Sequence, residues 1–355
     1  MPQEQRANKR NQNGGSSITE IPFAATRGSY ASKRGVSLNF ARFAEAFALV
    51  GALLLLFAVF SFLKPQSFLS WANVSTMLGS QAVLVFLTLA LIIPLTAGDF
   101  DLSIAATLTL SAMIVAVLNV RLGAGLPAGI VVAIVSGAII GAVNAAFILY
   151  FRIPSLIVTL GTGTFINGVV LWISNSDTIV GINQELVTYV VVTRLLGIPL
   201  AFYYALGLAV LLWYFLAYTT MGRRLVFVGR GREVARLSGI RVDQVRFFCL
   251  VGSGVISAVA GIVYAGTIGA ADPSSGNSFL LPAFAAAFLG ATSITPGRFN
   301  AFGSLVAVYF LVIGITGLSM LGIQTFVQNL FYGGALVLAV ALSQLVRKRE
   351  AQDFS

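Results

Sequence analysis

The stretch YTTMGRRLVFVGRGREVARLSGIRVDQVR, from Tyr218 to Arg246, is the one long interior segment of the chain that is strongly charged. It carries seven arginines against two carboxylates, Glu233 and Asp243. Long uncharged runs, residues 195–222 and 247–271, lie on either side of it. A basic segment between two membrane-length runs predicts a loop at the membrane surface that binds either anionic lipid or another protein.

The composition of the whole chain predicts a polytopic all-α membrane protein. Of 355 residues, 57% are hydrophobic and only 10% are charged, whereas soluble domains average about 25% charged residues. The net charge of +10 is explained by arginines at the ends of apolar runs, so we expect no nucleic acid partner. Histidine is absent and Cys249 is the only cysteine, which argues against metal sites and against acid–base catalysis by histidine. We therefore expect no metal, no catalytic residue and no enzyme activity.

Uncharged stretches predict about ten transmembrane helices, because a helix needs about 20 residues to cross about 30 Å of hydrocarbon. The last stretch must hold two spans with a hinge near Gly317–Gly322. Residues 273–297 form the weakest candidate, a short span, half-helix or re-entrant segment. Ten crossings leave all but three of the 22 lysines and arginines on the inner side, which places both termini in the cytoplasm. The predicted spans are 46–63, 72–98, 102–120, 122–151, 153–176, 195–222, 247–271, 273–297 and two within 299–346.

The chain divides by composition into three parts. Residues 1–43 are polar and basic, and we expect them to form a disordered tail. Residues 44–346 form the membrane domain, in which residues 219–246, hereafter the charged loop, lie in the cytoplasm. Residues 347–355 form a cytoplasmic C-terminal tail.

Two polar segments interrupt the apolar runs. The first segment follows the second predicted span and contains Asp99, Asp101 and Ser103. Either one of the two carboxylates caps the next helix, or the segment acts in gating or substrate passage. The other segment begins at Pro154. Its polar side chains lie about one helical turn apart. They form either a polar stripe suited to a polyhydroxylated solute or hydrogen bonds to neighbouring helices. These side chains are Ser155, Thr159, Thr162 and Asn167.

Within the charged loop, Arg232–Ser238 predicts one or two helical turns closed by Gly239. We expect Arg232, Glu233 and Arg236 to lie on its exposed face. The charge by itself fits lipid contact and protein docking equally well.

Four motifs resemble those of the permease subunits of ribose-type ABC sugar importers, a superfamily shared with branched-chain amino acid permeases. Gly98–Ala105 is similar to GGIDLSVG, with Asp99 in place of the second glycine. Pro154–Thr162 matches PSxIVTLGT. Thr219–Ile240 resembles TxxGR followed by AARLSGI, and Gly290–Arg298 resembles GGTSLxGGxG.

The resemblance implies a transport subunit of the bacterial inner membrane that moves a monosaccharide or related polyol. Its implied partners are a second permease chain, a copy of itself, together with a cytoplasmic ABC ATPase and a periplasmic sugar-binding protein. ATP and Mg²⁺ would be held by the ATPase, and the chain itself has no G-x-x-x-x-G-K-[ST] phosphate loop. A branched-chain amino acid permease and an ATPase-independent secondary transporter remain alternatives. The implied coupling residues are Arg223, Arg230, Arg232, Glu233, Arg236, Leu237, Ser238 and Gly239, and the pathway candidates are Asp99, Asp101, Ser103, Ser155, Thr159, Thr162 and Asn167.

Overall fold

The computed structural model describes residues 34–324 and 326–352. The chain divides into two units, Met1–Ala41 and Arg42–Ser355, and the second contains the membrane helices. The predicted disordered tail lies outside the described residues as far as residue 33, whereas residues 34–43 already belong to the first helix. Residues 347–352 of the predicted C-terminal tail are also helical, and 353–355 lie outside the described part. Both helices run past their apolar stretches, because extending a formed helix costs little.

The described residues are predominantly helical. The longer helices are Arg34–Leu63 (α1), Trp71–Ser80 (α3), Ala82–Thr96 (α4), Ile104–Ala116 (α5), Leu126–Tyr150 (α6), Ser155–Ser174 (α7), Leu200–Tyr218 (α9), Thr220–Arg230 (α10), Val242–Ile268 (α12), Asn277–Gly290 (α13), Ala301–Met320 (α14) and Phe326–Gln352 (α15). The short ones are Pro65–Phe68 (α2), Gln184–Val187 (α8) and Arg232–Leu237 (α11), with π-helical turns at Val117–Arg121 and Thr188–Val192. Two antiparallel pairs of two-residue strands join Ile179–Val180 (β1) to Ala270–Ala271 (β4) and Arg194–Leu195 (β2) to Ile198–Pro199 (β3).

Nine helical segments within the described residues are long and apolar enough to cross a membrane. They confirm the prediction of an all-α polytopic membrane protein and follow the predicted spans closely. The two spans of the last stretch separate between Met320 and Phe326, and Gly322 there has a φ of 79°. The segments are Ala46–Leu63, Trp71–Thr96, Ile104–Arg121, Leu126–Tyr150, Ser155–Ser174, Leu200–Tyr218, Val242–Ile268, Ala301–Met320 and Phe326–Ser343.

The remaining predicted span, residues 273–297, contains the short helix α13. Its 14 residues extend about 21 Å, less than the roughly 30 Å of the hydrocarbon core. Pro282 lies inside it, and the side chains from Pro282 to Phe288 are buried against α14, α15 and α4. The prediction that this span is short is therefore confirmed.

The core of the membrane domain is formed by α4 and α12. Every residue of α4 from Ala82 to Leu95 is buried, as expected for a helix that is apolar on all faces. Helix α12 packs against α4, α5 and α6. Its Gly254 lies so close to Gly137 of α6 that a Cβ on either residue would overlap the other's backbone. The small-residue pattern Gly137–Gly141 thus permits a close crossing of α6 and α12.

Candidate functional site

Helix α4 ends in a turn that brings two carboxylates to one end of the helix bundle. Gly98 adopts a φ of 79°, which glycine reaches without steric cost. Its N–H donates to Leu95 O at 3.1 Å, and the N–H of Asp99 donates to Pro94 O at 2.9 Å. This pair of bonds is a Schellman motif, which satisfies the last carbonyls of the helix. Residues 97–103, hereafter the 97–103 turn, then lead into α5.

Asp99 accepts hydrogen bonds from two arginines of the charged loop. Arg246, on the first turns of α12, donates from Nε to Oδ2 and from Nη2 to Oδ1, both at 2.7 Å. Arg232, the first residue of α11, places Nη2 2.9 Å from Asp99 Oδ1 and 2.9 Å from Gly98 O. The two-pronged contact with Arg246 has the geometry in which a guanidinium binds a carboxylate most strongly.

The two arginines differ in their exposure to solvent. The side chains of Asp99 and Arg246 are 3% and 8% exposed, whereas that of Arg232 is 40% exposed. A buried charge is tolerated only when it is paired and hydrogen-bonded, so Asp99 and Arg246 depend on one another. Arg232 adds a third, partly solvated charge to an ion pair that is already complete.

Asp101 lies on the same turn but binds hydroxyls instead of arginines. Its Oδ1 accepts from the Ser103 hydroxyl at 2.6 Å and the Ser103 N–H at 3.1 Å, and its Oδ2 accepts from the Ser253 hydroxyl of α12 at 2.8 Å. The Ser103 hydroxyl in turn accepts from Asn144 of α6. Burial raises the pKa of Asp101, and the hydrogen bonds from Ser103 and Ser253 oppose that shift.

Neither carboxylate makes the helix cap that the sequence suggested. Helix α5 begins after Ser103 without a side-chain cap. Asp99 is bound by arginines, and Asp101 bonds to the residue immediately before the helix. The capping hypothesis is therefore wrong for Asp99, because ion pairs with two guanidiniums are stronger than a hydrogen bond to one N–H.

The polar residues at the start of α7 bind the backbone of the 97–103 turn. The Phe100 N–H donates to the Ser155 hydroxyl and the Leu102 N–H to the Thr159 hydroxyl, each at 3.0 Å. Five of the seven pathway candidates thus lie in one network: Asp99, Asp101, Ser103, Ser155 and Thr159. Thr162 and Asn167 are half-buried farther along α7.

Helix α11 has most of its surface exposed. Ala235 is buried beneath it, while Leu237 is 89% exposed and Val234 is 58% exposed. The helix ends in a second Schellman motif, with Gly239 at a φ of 80° donating to Arg236 O and Ile240 donating to Ala235 O. The predicted short helix with a glycine cap is therefore confirmed. Arg223 and Arg230, the coupling candidates on α10, are also exposed.

A cavity of about 430 Å³ opens between the 97–103 turn, the start of α7 and helix α11. Its wall includes two pathway candidates, Asp99 and Ser155, and three coupling candidates, Arg232, Glu233 and Arg236. Pathway candidates and coupling candidates, which lie in separate segments of the sequence, therefore lie together at one end of the bundle. Arg152 completes the polar wall and lies 3.7 Å from Asp243.

Several residues of this network were absent from the sequence-based candidates, among them Arg246, Asn144, Ser253 and Arg152. One signal could have identified the most important of them. A carboxylate such as Asp99 beside an apolar run needs a counter-charge, and Arg246 borders the next long apolar run after the charged loop. Asn144 and Ser253 carry no such signal, because isolated polar residues in spans are commonly packing residues.

No group of three or more potential metal ligands lies together among the described residues. The ionisable side chains that surround the cavity are instead occupied with one another.

Comparison with known proteins identifies the family. The family described as "Branched-chain amino acid transport system / permease component" matches residues 73–340. The chain is 30% identical to the D-allose transport system permease protein AlsC of Escherichia coli (strain K12), over 87% of this chain and 95% of that protein. It is 33% identical to the ribose import permease protein RbsC of Bacillus subtilis (strain 168), over 84% of this chain and 92% of that protein. The xylose transport system permease protein XylH of Escherichia coli (strain K12) is 25% identical, over 94% of this chain and 99% of that protein.

No solved structure matches the chain significantly. The family match and the relatives together cover all the long helices from α4 to α14 and the charged loop between α9 and α12. The chain therefore belongs to this permease family, as a multi-pass ABC transporter subunit of the bacterial inner membrane.

Proposed function

We propose that this chain is the membrane-spanning subunit of an ABC importer for a monosaccharide or related polyol. A periplasmic binding protein delivers the sugar, two copies of the chain form the pathway, and a cytoplasmic ATPase drives transport. ATP and Mg²⁺ bind to that ATPase, and this chain contributes no catalytic site. Both termini lie in the cytoplasm.

The observation that carries the proposal is the exposed helix α11. It leaves Leu237 and Val234 uncovered in a loop rich in arginine, and its first residue binds the turn that holds the pathway candidates. Exposed apolar side chains amid charge are typical of a protein-docking surface. Residues Asp99, Arg152 and Arg232, all predicted to lie on the inner side, line one cavity, which supports the proposed topology.

The sugar as cargo is supported by the relatives, whose names specify D-allose, ribose and xylose transport. A branched-chain amino acid would carry an ammonium and a carboxylate that need counter-charges along the route. Among the described residues, the buried Asp99 and Arg246 bind one another, and the buried Asp101 is held by the hydroxyls of Ser103 and Ser253, so none of the three is left over as a counter-charge. An uncharged polyol needs only hydroxyl and amide partners such as those on α7.

An ATPase-independent transporter is less well supported. Such proteins couple through intramembrane ionisable groups that change partner or protonation. Asp99 is held by two guanidiniums and Asp101 by the hydroxyls of Ser103 and Ser253, so neither carboxylate can change partner without breaking several hydrogen bonds.

The test is uptake in proteoliposomes that contain the full complex of this chain, its ATPase and its binding protein. Labelled D-allose, ribose and xylose are offered singly, with leucine as the comparison. We expect one of the sugars to accumulate only when ATP and the binding protein are both present, and the purified complex to contain two copies of this chain. Accumulation of leucine alone, or uptake that persists without the ATPase, would refute the proposal.

We further infer that helix α10 contacts anionic lipid headgroups. Arg223, Arg224 and Arg230 are exposed on it, and these three arginines form no ion pair within residues 34–324 and 326–352. Each arginine near an anionic membrane surface gains about 1 kcal/mol. We expect phosphatidylglycerol to raise the melting temperature of the wild type more than that of Arg223→Gln/Arg224→Gln. An equal rise in both proteins would contradict the inference.

A further inference from the structure

Three contacts join the charged loop to the end of α4. Gly229 of α10 lies so close to α4 that a Cβ there would overlap the Thr96 carbonyl oxygen. Arg232 of α11 lies within hydrogen-bonding distance of the Gly98 carbonyl and the Asp99 carboxylate, and Arg246 of α12 binds the same carboxylate. Three successive helices of the loop therefore contact the end of α4 or the turn that follows it.

The same turn is joined to three membrane helices on its other side. Asp101 accepts from Ser253 of α12, and Ser103 accepts from Asn144 of α6. The Leu102 N–H donates to Thr159 of α7. A displacement of the turn would therefore strain hydrogen bonds to α6, α7 and α12 at once.

Arg232 is the part of this arrangement that belongs to α11 itself. Arg246 and Asp99 form a complete buried pair that holds α12 to the turn, and this pair does not need Arg232. If Arg232 is removed, Asp99 keeps Arg246 as its partner, and Arg232 itself is 40% exposed. The substitution therefore leaves no buried charge without a partner. Its contribution can thus be tested without unfolding the protein.

We propose that the Arg232–Asp99 contact is a positioning link that transmits displacement of α11 to the 97–103 turn, and through it to α6, α7 and α12. This inference rests on the proposed function, since it assumes that a partner ATPase displaces α11. Arg232 acts through Asp99 and touches no substrate. The Arg232–Asp99 contact is directed at the 97–103 turn. It is separate from the exposed side chains of α11, Val234 and Leu237, on which the partner docks.

The test compares Arg232→Gln with Arg232→Lys and with Arg241→Gln in the purified full complex. Arg241 is a matched control because it is an exposed arginine of the same loop. Within residues 34–324 and 326–352 it forms no ion pair. We expect Arg232→Gln to keep the wild-type yield of bound ATPase while the sugar transported per ATP hydrolysed falls at least about fivefold, the lower end of typical coupling between sites. Arg232→Lys should recover most of the loss, since an ammonium can still bind Asp99, and Arg241→Gln should match the wild type.

Hydrogen–deuterium exchange gives a readout that a merely structural role would not change. In the wild type, ATP binding is expected to alter exchange in residues 97–103, and in Arg232→Gln that response should disappear while exchange in α11 still responds. The inference is overturned if Arg232→Gln transports with wild-type stoichiometry, or if it loses the ATPase, since Arg232 would then belong to the docking surface. A wild-type complex that binds the ATPase but shows no ATP-dependent uptake would refute the proposed function itself.

Discussion

Asp99→Ala is expected to lower the free energy of unfolding by about 3–5 kcal/mol, the usual cost of removing one partner of a buried ion pair. The substitution leaves Arg246 only 8% exposed and without its carboxylate. It also removes the charged acceptor of Arg232 on the 97–103 turn, leaving that arginine only the backbone carbonyls there. The measurement is unfolding in mild detergent by titration with a denaturing detergent, followed by circular dichroism.

The matched control is Asp272→Ala. Asp272 is likewise a hydrogen-bonded carboxylate, but its donors are the hydroxyls of Ser274 and Thr178 and it lies on an exposed loop. Its loss should cost much less than that of Asp99, because water replaces lost hydrogen bonds on an exposed loop and no buried charge is left unpaired. The double variant Asp99→Ala/Arg246→Met should recover much of the lost stability, because neither charge of the buried pair remains. Equal losses in Asp99→Ala and Asp272→Ala would show that the buried pair does not stabilise the fold.

Leu237→Asp is expected to abolish transport by releasing the ATPase. Leu237 is 89% exposed, so the change removes no contact within the chain. At a docking surface, an exposed leucine that becomes buried on binding can be worth 2 kcal/mol or more, or about a 30-fold loss of affinity. The measurement is the yield of ATPase recovered with the tagged permease after purification, at equal permease levels in the membrane.

A second variant tests the geometry of the same helix. Gly239→Pro cannot reach the φ of 80° that Gly239 adopts, and it removes the N–H that bonds to Arg236. We expect it to deform the end of α11 and to release the ATPase as Leu237→Asp does. Leu196→Asp is the control, since Leu196 is also highly exposed, at 80%, but lies between β2 and β3 outside the charged loop. Wild-type recovery of the ATPase with both α11 variants would contradict the docking proposal.

The sequence predicted those parts of the fold that depend on local pattern. Apolar runs located the spans because each must be long enough to cross the hydrocarbon, and the short run at 273–297 indicated the short helix α13. Gly239 predicted the end of α11 because a positive φ favours glycine. Helix bounds in the loop were less accurate: residues 242–246, assigned to the loop, are the first turns of α12.

The partners of Asp99 could not be predicted from local sequence pattern. Asp99 and Arg246 are 147 positions apart, and Asp99 and Arg232 are 133 apart. Seven arginines lie in the charged loop, and no local pattern distinguishes the two that bind Asp99 from the five that do not. The resemblance did not identify them either, because its motif has glycine at the position of Asp99.

By itself, then, the sequence determined the class of protein, the spans, and the segments that hold the pathway and coupling candidates. These follow from the cost of placing polar groups in hydrocarbon, which is set residue by residue along the chain. Only the tertiary structure decided that the charged loop from Tyr218 to Arg246 reaches the 97–103 turn, and that both arginines share one carboxylate. A buried charge must find its partner across the fold, so its partner depends on how α4, α11 and α12 pack.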